Sequence, residues 1–239
     1  MSFDIDLHIL TLSRYGINNF VYASRRPFHS KRLWDLLHNK FILLQNGDNE
    51  DEEDGEDGDG GEEMQDDDDD DEEEEEEEEE EDMKPETILQ NKRTDAAFAP
   101  LLRSKGFFWL ATRPFQSGEW SQAGAILTIS CGGRWFAELG DKDWPEDADV
   151  RKSIEDDFEG RWGDRRQEIV LIGEGIDTDK ITQALDGCLL DDDEMKQWES
   201  VMDSGMGDEE RQAKMMEIWE DGWEGWNEDE EEDEAGHVH

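Results

Sequence analysis

The sequence predicts an α+β domain: a small, mostly antiparallel sheet with helices packed on one face, interrupted by a disordered polyacidic loop. Three observations carry this. Short apolar or alternating runs are separated by Gly-rich turns, as in hairpins. Amphipathic helical stretches stand at the beginning and the end of the strand-rich region. The charge is segregated. The 239 residues carry 70 acids against 23 bases, a net charge of −47, yet 28 of those acids fall in residues 48–82, which hold no Lys or Arg. Residues 191–239 add 20 acids against 3 bases. The remaining 155 residues hold 22 acids and 20 bases, the balance of an ordinary globular domain large enough to bury a core.

The elements follow in order. Residues 1–14 form an extension, either an edge strand (Phe3, Ile5, Leu7 and Ile9 alternate with polar residues) or a linker remnant. Residues 17–23 read as a strand, ended by Arg25-Arg26-Pro27. Ser30 is placed to cap a helix running to about His38, with Leu33, Trp34, Leu36 and Leu37 buried. Residues 41–44 are apolar and of no clear type. The acidic run 48–82 has almost nothing to bury and repels itself, so it reads as a disordered insertion within one domain, 15–190. Closing such a loop costs only about 0.6 kcal/mol per doubling of its length.

Beyond the insertion, residues 106–111 read as a strand buried on both faces, and 119–130 as one further strand. In that strand Trp120, Gln122, Gly124, Ile126 and Thr128 share one face, and Ala123, Ala125, Leu127 and Ile129 the other. Gly132-Gly133 signals a turn and 134–137 a third strand. Residues 149–158 form an exposed helix and 168–172 a buried strand. Thr178 is placed to cap a helix with Ile181, Leu185 and Leu189 on one stripe. In 191–239 the pattern weakens to an acidic tail with Trp and Met residues, docking loosely and disordered at its end.

Composition excludes several functions. So acidic a chain repels nucleic acid and anionic membranes, whose binding rests on Lys and Arg. No apolar run reaches the roughly 20 residues of a transmembrane helix, and the N-terminal residues are no signal peptide. Two cysteines 57 positions apart, Cys131 and Cys188, make no disulfide framework. A cytoplasmic setting is expected, with the nucleus as the alternative. A P-loop needs Gly-Lys to cradle phosphates, and that dipeptide is absent from the sequence.

The metal candidates are weak. His237 and His239 form a His-x-His pair beside acids, His29 lies at a helix entry where capping is the competing role, and Cys131 lies at a turn. No tightly bound cofactor is expected. Divalent ions (Zn, Ca or Mg) should bind weakly to the carboxylates and the two terminal histidines. Cys188, on a helix stripe, is expected in the core. The bases cluster as Arg25, Arg26, Lys31 and Arg32, and as Arg161, Arg165 and Arg166. They form either a solvated surface paired with Asp156, Asp157 and Asp164, or a surface for an acidic partner, including the chain's own acidic loop.

The blocks 15–22, 25–29 (Arg25-Arg26-Pro27-Phe28-His29), 32–37, 102–111, 118–124, 162–173 and 185–190 occur in an order that resembles the CobW C-terminal domain. The resemblance covers about 15–190 apart from the acidic insertion. It implies relation to GTP-dependent metallochaperones that handle zinc, cobalt or nickel. The family's GTPase domain, with its P-loop and Cys-x-Cys-Cys metal motif, has no counterpart in these residues. The expected role is therefore a non-catalytic partner-binding or regulatory module, which meets a CobW-type GTPase domain or a metal client. Arg25, Arg26, Arg32, Arg165 and Arg166 are its candidate contacts. The alternative is an acidic interaction protein that binds basic proteins or buffers cations through 48–82.

Overall fold

A computed structural model describes residues 16–45 and 83–226. The expectations for 1–14, the insertion 48–82, the end of the acidic tail, His237 and His239 lie outside these residues.

Six strands form one open sheet in the order β1-β6-β3-β4-β5-β2. They are β1 (Ile17–Ser24), β2 (Ile42–Gln45), β3 (Leu101–Phe108), β4 (Gln116–Ala123), β5 (Ile126–Arg134) and β6 (Gln167–Glu174). Only β2, parallel to β5, departs from antiparallel pairing. Six helices accompany them: α1 (Ser30–Leu37), α2 (Pro85–Thr94), α3 (Ala148–Glu155), α4 (Thr178–Asp186), α5 (Asp192–Met202) and α6 (Asp208–Ile218). The sequence-based fold class is the observed one.

One face of the sheet carries the main core. Tyr22, Phe108, Trp120, Leu127, Ile129, Ile169 and Leu171 project onto Leu33 and Leu37 of α1 and Ile181 and Leu185 of α4. Close packing of this face has a local signature at Gly118, where a Cβ would sit 2.4 Å from the Phe108 ring.

Several expectations are corrected. Residues 119–130 are two strands, because Gly124 takes φ 61° in the two-residue loop between Ala123 and Ile126. The loop resets the alternation, so Trp120 and Gln122 face the core together with Leu127 and Ile129, and Ile126 is exposed. The strand expected at 134–137 is instead the end of β5 followed by a short 3₁₀ turn, Phe136–Glu138. Strand β6 is buried on one face only, with Val170 exposed. Helix α2 was unforeseen: Pro85 opens it, and Ile88 and Lys92 are its only buried residues. The caps of α1 and α4 are His29 and Asp177, one residue before the expected Ser30 and Thr178.

The largest correction concerns residues 191–226. They do not dock loosely but build a second core of Trp109, Ala111, Trp135, Leu190, Trp198, Val201, Met215 and Trp219. Asp191 and Glu194 close a capping box at the start of α5. Trp198 is fully buried, donates from Nε1 to the Ala111 carbonyl at 2.9 Å, and meets Trp109 and Trp162 edge to face. After α6 the chain returns to the first core. Trp223 donates to the Ser30 carbonyl at 3.1 Å, and Asp221 ion-pairs with the buried Arg113.

Candidate partner-binding site

The five arginines singled out from sequence fasten the fold together. Arg25 donates to the carbonyls of Gly163 (3.0 Å) and Asp157 (2.9 Å) and pairs with Glu159. Arg26 reaches the Leu190 carbonyl at 2.9 Å and Asp192 at 2.8 Å. Arg32 holds both carboxylate oxygens of Glu194, at 3.1 and 2.6 Å, and the Leu189 carbonyl. These bonds tie the entry of α1 to the entry of α5, a bidentate geometry that a lysine could not supply.

Arg165 is buried, donates to the carbonyls of Pro114 and Trp162, and pairs with Glu138. Arg166 pairs with Asp157 and Glu168 and stacks on the Phe107 ring at 4.8 Å. Beside them, the Asp164 carboxylate accepts from the backbone N–H groups of Phe136 and Ala137. Sequence shows that arginines cluster but not which acids lie within reach, so this lattice was not legible there.

His29 caps α1, its Nδ1 accepting from the Arg32 N–H at 3.4 Å. Burial, reinforced by the Arg32 guanidinium, lowers its pKa from the ordinary histidine value. Cys188 is buried and its thiol is pushed up to about 12 by desolvation. Cys131 is half-buried on β5, its sulfur accepting from the Gly133 N–H. His29 and Cys131 lie on separate elements, and among the described residues no group of three or more His, Cys, Asp or Glu is placed to hold a metal ion.

Two features were not singled out from sequence. The first is the bare face of the sheet. The register aligns Val21, Val170, Lys105, Ser121, Thr128 and Leu44 across all six strands. Ile172, Arg103, Ala123 and Ile126 lie in the next row. Val21, Val170, Ile126 and Leu44 are exposed. The second is a cavity of about 280 Å³ at the end of this face, lined by Phe107, Trp135, Phe136 and Ile154 with Glu119 and Arg134 at its polar side. The signal for the first was present in the alternation Arg103-Ser104-Lys105, which puts two cations on one face of a strand.

Among the described residues the architecture is thus an α+β domain with helices on one sheet face and exposed Val21, Val170, Ile126 and Leu44 on the other. Residues 78–189 match the family model for the cobalamin synthesis protein CobW C-terminal domain. Over those residues the chain is similar to the C-terminal domain of the CobW family. It is 29% identical over 189 residues to the zinc-regulated GTPase metalloprotein activator 1 of Dictyostelium discoideum, covering 79% of this chain and 28% of that protein. A zinc chaperone of Mycobacterium tuberculosis is 31% identical over 110 residues, 43% of this chain and 27% of that protein. The chain thus spans about a quarter of the length of these curated relatives. A solved structure, the Zn(II)-bound YjiA GTPase of E. coli, aligns with a TM-score of 0.37 at 12% identity, covering 80% of this chain and 35% of that one.

Proposed function

We propose that this chain acts as a non-catalytic, partner-binding and regulatory module of a CobW-type metallochaperone system, serving zinc or cobalt homeostasis in the cytoplasm by contacting a CobW-type GTPase domain. The carrying observation is the pairing of a match to the CobW C-terminal domain with a sequence that holds no Gly-Lys for a phosphate-binding loop. The names of the relatives, a zinc-regulated activator and a zinc chaperone, support zinc as the cargo. Any metal held by this chain itself would be held weakly, by the carboxylates of 48–82 and by His237 and His239. Among the described residues no helix is long and apolar enough to cross a membrane.

The test has two parts. The purified chain is titrated with GTP and assayed for phosphate release, then mixed with a CobW-type GTPase domain produced without its own C-terminal domain. Neither nucleotide binding nor turnover is expected from the chain alone, and a one-to-one complex is expected from the mixture. Turnover by the chain alone, or no complex, contradicts the proposal.

A second reading rests on the concentration of 28 acids in residues 48–82. An acidic interaction protein would bind basic proteins tightly and in a salt-sensitive way, and would lose that binding when 48–82 is removed.

A further inference from the structure

The described residues leave few cations without a carboxylate. Sixteen Lys and Arg side chains form ion pairs. Arg103 and Lys105 are exceptions. Both are exposed, neither makes an ion pair among the described residues, and both stand on the bare face of the central strand β3. In a chain of net charge −47, two exposed cations two residues apart that make no ion pair, although Glu119 and Glu168 stand one row further along the same face, are available to the carboxylates of a partner.

Around them exposed apolar side chains stand among polar ones, where an open antiparallel face is ordinarily polar. Val170 and Val21 lie beyond Lys105 on one side, and Ile126 and Leu44 lie toward the β2 edge. At 4.8 Å between strands and 3.3 Å per residue, six strands of four to nine residues present roughly 700 Å², close to the ~800 Å² that one partner contributes to a standard interface. The cavity beside Phe107 continues this face, because Phe107 follows Lys105 by two residues. Its volume of about 280 Å³ accepts one large aromatic or branched side chain, the type of anchor that dominates interface energetics.

We propose that this open sheet face is the surface that receives the GTPase domain. A large apolar side chain of that domain enters the cavity between Phe107, Trp135 and Phe136, and its carboxylates pair with Arg103 and Lys105. The inference rests on the functional reading above and adds where the contact is made. The apolar rows supply affinity. The two cations supply register and select against basic surfaces. Arg25, Arg26 and Arg32 take no part, since they are engaged by acids and carbonyls within the chain.

The test is titration calorimetry of the full chain against the isolated GTPase domain, with thermal unfolding as a check that each variant folds. Val170→Asp, and Arg103→Glu with Lys105→Glu, should each weaken binding at least tenfold. Arg93→Glu, an exposed cation of α2, should change it less than twofold. Raising the salt concentration should weaken the wild type more than the double charge reversal. Binding that survives the open-face variants overturns this inference and leaves the functional reading standing. No binding by the wild-type chain overturns both. If a complex forms only after 48–82 is replaced by a Gly/Ser linker, the chain's own acidic segment is the occupant. If size-exclusion shows a homodimer abolished by Val170→Asp, the occupant is a second copy. Either result overturns the proposal.

Discussion

Replacing Trp198 by alanine tests whether residues 191–226 are part of the domain. The indole is fully buried between Trp109 and Trp162, at ring-centre distances of 5.2 and 4.7 Å, and its Nε1 serves the Ala111 carbonyl at 2.9 Å. Truncating a buried Trp to Ala costs about 3–5 kcal/mol through lost transfer energy and the cavity left behind. The orphaned carbonyl pushes the cost toward the upper part of that range unless water enters. For a domain of this size each kcal/mol lowers Tm by about 2–4 °C, so a fall of about 8–20 °C is expected. Circular dichroism is the suitable signal, since removing a Trp alters fluorescence directly. Trp198→Phe keeps a ring in the site and loses the hydrogen bond, so it should cost well under half as much. A Trp198→Ala protein within about 1 kcal/mol of wild type would show that α5 and α6 do not share the core, and the reasoning would fail.

Asp221→Ala should cost about 3–5 kcal/mol in denaturant unfolding, because it strands the buried Arg113 guanidinium, whose Nη1 already has no partner; a neutral result would show that the C-terminal return is not fastened there. Thiol labelling at pH 8 should modify Cys131 well before Cys188, whose thiol, with its pKa near 12, stays protonated; equal rates would contradict the burial of Cys188. His29 takes up its proton less readily folded than unfolded, so the folded state binds fewer protons. Its contribution is present above the ordinary histidine pKa and is lost as pH falls through and below it. His29→Asn, which retains a capping oxygen, should flatten that part of the pH–stability curve, and an unchanged slope would refute the assignment. Replacing 48–82 by a short Gly/Ser linker should leave stability unchanged or raise it by about 1–2 kcal/mol, and a large loss at moderate salt would refute its reading as an insertion.

The parts of the fold legible in the sequence were those with an uninterrupted period. Leu33 and Leu37 of α1, Ile181 and Leu185 of α4, and the apolar run 169–172 of β6 all marked their elements, though β6 is buried on one face only. The β4–β5 hairpin was missed because Gly124-Ala125 is so short that apolar residues run through it, and only the φ of 61° at Gly124 reverses the phase. The second core was hidden by composition. Asp192, Asp193 and Glu194 look like part of an acidic tail, yet they occupy the first turn of α5, where the helix dipole favours them, behind the Asp191–Glu194 capping box. Clustering in sequence also misdirected the choice of contact residues. Arg26 and Arg32 are bound to acids more than 150 positions away, whereas Arg103 and Lys105, in an unremarkable strand, face outward.

Lysine footprinting tests the central claim, a GTPase-binding module using its open sheet face, most directly. The full chain is acetylated briefly with and without the isolated GTPase domain, and each lysine is read by mass spectrometry. The account predicts that Lys105 becomes protected in the complex, while the exposed Lys84 and Lys142, outside the six-stranded face, react as before. Unchanged reactivity of Lys105 in a complex shown to have formed would contradict it.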